Sequence, residues 1–130
     1  MISKHLRVLY AENNKDACFI MKTMLKFSDI DVTSAGTVAE ACRLGQAERF
    51  DLYLLDSRFT DGNGLDLCRC LRQNSPRTPI LFYSGDAYAV DVKNGLAAGA
   101  DAYVAKPYFE ELTEKILQLL EPFRRQAALN

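Results

Sequence analysis

Five short apolar runs organise this chain, each followed by a stretch whose apolar residues recur at helical spacing. Leu6-Arg7-Val8-Leu9-Tyr10-Ala11 is the first run, and Ala17, Ile20, Met21, Met24 and Leu25 mark the helix after it. Val32-Thr33-Ser34-Ala35 is the second and leads to a helix at Thr37, which stands in capping-box spacing with Glu40. The third runs from Asp51 to Asp56, with Leu67 and Leu71 placing a helix after Gly64. Pro76 and Pro79 close that helix, Pro79 to Ser84 forms the fourth strand, and Gly85-Asp86 turns it into a helix through Ala98. Gly99-Ala100-Asp101 breaks this helix, Ala102-Tyr103-Val104-Ala105 is the fifth strand, and Lys106-Pro107 ends it. Leu112, Ile116, Leu119 and Leu120 mark a last amphipathic helix, which Pro122 is expected to limit. Such alternation predicts an α/β fold in one domain, residues 1–122, followed by a short solvated tail, 123–130.

The third run carries the chemistry. It is apolar until it stops on Asp56, and in an open parallel sheet the carboxyl ends of strands face the ligand crevice. Asp61-Gly62-Asn63-Gly64 then supplies turn chemistry. Glu12-Asn13 follows the first strand, Ser84 ends the fourth and Lys106 follows the fifth, so these groups converge with Asp56 on one edge. An acid nucleophile with a hydroxyl, an ammonium and further oxygen ligands nearby is what phosphoryl transfer to a carboxylate requires. Magnesium would offset charge on the incoming oxygens, Lys106 would pair with one of them, and Ser84 could donate to another.

Composition narrows the alternatives. At 130 residues, 48% hydrophobic and 25% charged, the chain can bury a full core, and its formal net charge of -1 gives no excess for nucleic acid or an anionic membrane. It carries neither a signal-peptide pattern nor an apolar run of membrane-spanning length, and it reads as cytoplasmic. Cys18, Cys42, Cys68 and Cys70 lack metal-site spacing and are expected as free, mostly packed thiols; Cys68 and Cys70, two apart on a helix, point in different directions.

With these motifs in this order, the chain resembles the receiver domain of two-component response regulators over about His5 to Leu120. The Asp56 strand with its Asp-Gly-Asn-Gly turn, Ser84-Gly85, and Gly99 through Pro107 carry the resemblance. It implies a single doubly wound (βα)5 domain, flavodoxin-like, with a parallel five-stranded sheet in order 2-1-3-4-5. It makes Asp56 the phosphoacceptor, Lys106 its ion-pair partner, Ser84 the hydroxyl that moves toward the phosphoryl group, and Tyr103 the aromatic that reports the movement. Mg2+ would be held by Glu12, Asn13, Asp56 and the backbone carbonyl of Arg58.

The resemblance also places Arg58 and Asp86 at positions that in the family tune phosphoryl lifetime; they are expected to pair across the mouth of the site, or Arg58 to reach the phosphoryl group. The implied function is phosphorelay signalling by a single-domain regulator, not an enzyme beyond slow self-dephosphorylation. A histidine kinase or phosphotransfer protein would load it, and a downstream protein would read a surface including Tyr88, Lys93, Tyr103 and Phe109, with the chain a monomer or weak dimer.

Two departures bear on this. The family usually has two acids after the first strand, where this chain has Glu12 and then Asn13, so weaker magnesium binding is expected; Thr60 stands where proline is common. A pseudo-receiver, binding partners without phosphorylation, is therefore the alternative. A flavin-binding protein of the same topology would need a phosphate loop after the first strand, and Glu12-Asn13-Asn14 does not supply one.

Overall fold

The computed structural model describes residues 5–129, and side chains from residue 5 to 121. Its elements are β1 (Leu6–Ala11), α1 (Lys15–Lys26), β2 (Ile30–Ala35), α2 (Val38–Ala47), β3 (Leu52–Leu55), β4 (Arg58–Phe59), β5 (Gly62–Asn63), α3 (Gly64–Asn74), β6 (Ile80–Ser84), α4 (Ala89–Ala97), β7 (Ala102–Ala105) and α5 (Phe109–Leu129). Five strands pair in parallel in the order β2-β1-β3-β6-β7, the doubly wound 2-1-3-4-5 arrangement once the β4–β5 pair is set aside. The topology expected from the resemblance is therefore the one observed.

Strand alternation divides the core into two layers. Leu6, Val8, Tyr10, Leu52, Leu54, Leu81 and Tyr83 face one way and pack with Met21 and Leu25 of α1 and Leu112, Ile116 and Leu120 of α5. Leu9, Ala11, Tyr53, Leu55, Ile80 and Phe82 face the other way and pack with Ala41 of α2 and Leu67, Cys68 and Leu71 of α3. Because both faces are covered, the central strands read as unbroken apolar runs.

Four local details differ from the sequence reading. The segment after Asp56 is a small antiparallel ladder, with Arg58 opposite Asn63 and Phe59 opposite Gly62, rather than a simple turn. Thr37 supplies one arm of its expected capping box, accepting from Glu40 N at 3.1 Å, while Asp61 takes the N–H groups of Val38 and Ala39 at 2.9 and 3.0 Å. Those donors are the orphan groups of a helix start, so a carboxylate from the loop satisfies both at once.

Helix α5 runs to Leu129, so Pro122 does not limit it. A proline removes one hydrogen bond, a loss a long amphipathic helix tolerates when its earlier turns are anchored in the core, as Leu112, Ile116 and Leu120 are here. Last, Cys42 of α2 and Cys70 of α3 form a disulfide across a Cα separation of 6.3 Å, leaving only Cys18 and Cys68 as the free, buried thiols expected of all four. Cys70 faces α2 while Cys68 is buried with its thiol toward the Ala98 carbonyl, so the pairing depends on which helices are neighbours and not on spacing.

Candidate functional site

The carboxyl ends of β1, β3, β6 and β7 bring Glu12, Asp56, Ser84 and Lys106 to one edge. The ladder extends past each strand: Asp56 N donates to Ala11 O at 3.0 Å, Glu12 N to Ala35 O at 2.9 Å and Lys106 N to Ser84 O at 2.9 Å. Backbone hydrogen bonding thus fixes the origin of every one of these side chains. Gly64 is part of this frame, because a Cβ there would run into the carbonyl oxygen of Asp56 and the ring of Phe82.

Lys106 Nζ lies between two carboxylates, 2.5 Å from Glu12 Oε1 and 3.4 Å from Asp56 Oδ2. Glu12 is buried; its other oxygen accepts from Asn14 N at 3.0 Å, and Tyr10 adds a longer hydroxyl contact at 3.4 Å. Burial is the largest influence on Glu12 and pushes its pKa upward, but Lys106 and the Asn14 N–H together hold the carboxyl below the usual range. Asp56 is held the other way. Burial is again the largest influence, and with the Glu12 charge it outweighs the Ser57 N–H and Lys106, leaving this carboxyl above the usual range. Burial opposes the charge on Lys106 as well, yet its hydrogen bond to Glu12 and the Asp56 charge raise its pKa. Two carboxylates thus share one ammonium.

The other flank of Asp56 is a chain of hydroxyls and charges. Ser57 N donates to Asp56 Oδ1 at 2.8 Å. Ser57 Oγ lies 2.5 Å from Ser84 Oγ and donates to Asp86 Oδ2 at 2.9 Å, and Asp86 N donates to Ser84 Oγ at 3.0 Å. Arg58 grips Asp86 with both Nε at 2.6 Å and Nη2 at 2.8 Å, so the expected pairing of these two positions is met by a bidentate contact. Arg58 first and Ser57 second hold the Asp86 carboxyl below its usual range. Tyr103 donates its hydroxyl to the Asp86 carbonyl, stacks on Phe82 with centroids 5.1 Å apart, and borders a cleft of about 290 Å³. Its ring also packs where a Cβ on Gly95 of α4 would stand.

Ser84 is fully buried and bonded to Ser57 and Asp86 rather than to Asp56. Asn13 is exposed on the rim of the groove that Glu12 lines. The expected partner surface divides: Tyr88 and Lys93 are exposed on the α4 side with Tyr103 half-buried behind them, but Phe109 packs on the opposite layer against α1, beside Ile20, Met21 and Pro107. The fourth helix, fifth strand and fifth helix were expected to share one surface, yet the turn into α5 carries Phe109 to the other face of the sheet. Ser57 is the site residue the sequence reading passed over.

The response regulator receiver domain pattern matches residues 8–117. This chain belongs to that family. The receiver is 34% identical over 106 residues to the cell cycle response regulator CtrA of Brucella ovis, a match spanning 82% of this chain and 46% of CtrA, so it spans about half the length of the curated relatives it matches. A CheY-like receiver domain protein from Methanospirillum hungatei JF-1 superposes with a TM-score of 0.87 at 27% identity, covering 95% of this chain and 99% of that one. The response regulator TrrA of Thermotoga maritima, crystallised with Mg(2+)-BeF, superposes with a TM-score of 0.80 at 25% identity over 88% of this chain and 99% of its own. Membership makes the receiver a phosphorelay signalling domain, of a class that binds Mg2+ and works with histidine kinases and downstream effectors.

The donor set fits such an ion in part. Glu12 and Asp56 offer hard carboxylate oxygens and together carry one more negative charge than Lys106 offsets, but no cluster of three or more His, Cys, Asp or Glu suited to a metal occurs among the described residues. Among the described residues, no helix is long and apolar enough to cross a membrane.

Proposed function

We propose that this receiver accepts a phosphoryl group on Asp56 from a histidine kinase or phosphotransfer protein and passes the signal to a protein partner. The observation that carries the reading is the placement of Asp56 beside Lys106, with the switch hydroxyl of Ser84 one residue's reach away through Ser57. An Asp56 oxygen attacks phosphorus, the donor's bond to phosphorus breaks, and the leaving group departs with the electron pair, giving an acyl phosphate. Lys106 sits where it can follow the new negative charge from Oδ2 to a phosphoryl oxygen, and the Ser57 N–H keeps the carboxyl oriented throughout. Glu12 and Asp56, with the Arg58 carbonyl and the Asn13 amide, would hold Mg2+, which supplies charge neutralisation on the transferred group.

Asn13 and the engagement of Glu12 by Lys106 favour weak magnesium binding and slow loading. The same observations support the second reading, a pseudo-receiver that binds partners without phosphorylation. We place the receiver in the cytoplasm, as residues 1–122 with the remainder of α5 beyond it, working as a monomer or weak dimer. The partner would read Tyr88, Lys93 and Tyr103 on one face; Phe109 belongs to a separate one.

Incubation with acetyl phosphate across a magnesium titration tests the assignment by mass spectrometry. An adduct of one phosphoryl group, lost in Asp56→Ala, is the expected result; no adduct at saturating magnesium overturns it in favour of the pseudo-receiver.

A further inference from the structure

Proton accounting along the Ser84–Ser57–Asp86 chain leads to a role for Ser57. A serine hydroxyl has one hydrogen to donate. Ser57 gives its hydrogen to the Asp86 carboxylate at 2.9 Å, so across the 2.5 Å contact between the two hydroxyls Ser84 is the donor. Ser84 Oγ accepts from Asp86 N at 3.0 Å and is fully buried. Its single hydrogen is therefore committed, and it has no other to offer a phosphoryl group on Asp56.

Arg58 fixes the far end of this chain by its two hydrogen bonds to Asp86, and the Asp86 carbonyl receives the Tyr103 hydroxyl. The order is thus Ser84 to Ser57 to Asp86, clamped by Arg58, with Tyr103 attached to the same residue. We propose that Ser57 is a positioning residue, a latch that holds Ser84 in the unphosphorylated rotamer and links its release to movement of Asp86 and Tyr103. This rests on the reading of Ser84 as the switch hydroxyl and adds the group against which the switch works. Phosphorylation has to win the Ser84 hydrogen from Ser57, so the latch sets how far loading of Asp56 shifts the population toward the active state.

Two measurements on the intact chain test it separately from the phosphoacceptor assignment. In ligand-free protein, side-chain coupling constants should report one Ser84 χ1 rotamer in the native sequence and an averaged rotamer in Ser57→Ala, with Ser57→Thr, which keeps the hydroxyl, restoring a single rotamer. Beryllofluoride with saturating magnesium should then bind Ser57→Ala about fivefold more tightly, the equivalent of one net hydrogen bond no longer opposing the switch. A Ser84 rotamer that stays single in Ser57→Ala overturns the latch whatever the ligand does. An averaged rotamer supports the latch, and if neither protein then binds beryllofluoride the phosphoacceptor reading falls while the latch stands; equal affinity in the two proteins overturns its coupling to the switch.

Discussion

The two flanks of Asp56 are built on opposite physical terms. On one, the Glu12 side chain is 2% exposed and its ion pair with Lys106 is largely withdrawn from water. On the other, Arg58 is 82% exposed and holds Asp86 at the surface, with two serine hydroxyls beneath. Taking a charge out of water is costly, so a buried partner left alone is expensive, whereas an exposed pair is screened and contributes little to folding. The acid flank is therefore expected to govern the stability of the fold and, on the proposed reading, the loading of Asp56. On the same proposed reading, the hydroxyl flank governs how the loaded state is read and how long it lasts.

Lys106→Met breaks the acid flank and should produce the largest effect. It strands the Glu12 charge, and loss of one partner of a buried pair costs about 3 kcal/mol. Because Glu12 is held below its usual pKa and Lys106 above its own, the pair stabilises the fold above the unfolded pKa of Glu12 and below that of Lys106, a window including neutral pH. The contribution is lost as pH falls through the folded pKa of Glu12. Urea unfolding in chelator-containing buffer should show the deficit of the variant at pH 7 and its narrowing in acid; a constant deficit would mean that packing, not charge, holds this corner.

Asn13→Asp should sharpen the same flank without breaking it. A second acid beside Glu12 adds charge next to a divalent ion, and after screening about a tenfold gain in Mg2+ affinity is expected by calorimetry. An unchanged affinity would place position 13 outside the ion's reach.

The two flanks were unequally legible in the sequence. Asp56, Ser84 and Lys106 stand at the ends of apolar runs, and a parallel sheet brings such ends together whatever else the chain does. Glu12 follows from the same rule, whereas the doubly wound topology came from the family resemblance that these residues carry. Ser57 left no pattern: its significance lies in residues 27 and 29 positions away, which a helix and a strand must place before their atoms meet. The Cys42–Cys70 bond and the separation of Phe109 from Tyr103 were hidden for the same reason, since each depends on which face an element takes. The hold of Asp61 on α2 also escaped, because a residue in a glycine-rich turn reads as local while its partners belong to another helix.

Asp56→Asn tests the boundary between the flanks. Burial and Glu12 hold this carboxyl above its usual pKa, so its ionised form costs stability above the unfolded pKa and the cost vanishes as pH falls below it. The neutral amide should raise stability at pH 7 in the absence of divalent ions, by on the order of 1 kcal/mol, with the gain disappearing in acid. Added Mg2+ should shrink the difference by stabilising the native carboxylate.

Arg58→Ala should have the smallest effect, and that is what makes it informative. Its guanidinium touches Asp86 and lies in water, so the thermal midpoint should stay where it is. What changes is the mouth of the site. Without the bidentate grip, water reaches the acyl phosphate more easily, and its lifetime should shorten by about threefold, the scale of one exposed charge pair. High salt, which screens this pair, should bring the native protein toward the variant's lifetime while leaving the variant unmoved. A large loss of stability in Arg58→Ala would show that the hydroxyl flank supports the fold as the acid flank does. An unchanged lifetime would restrict Arg58 to holding Asp86 for Ser57.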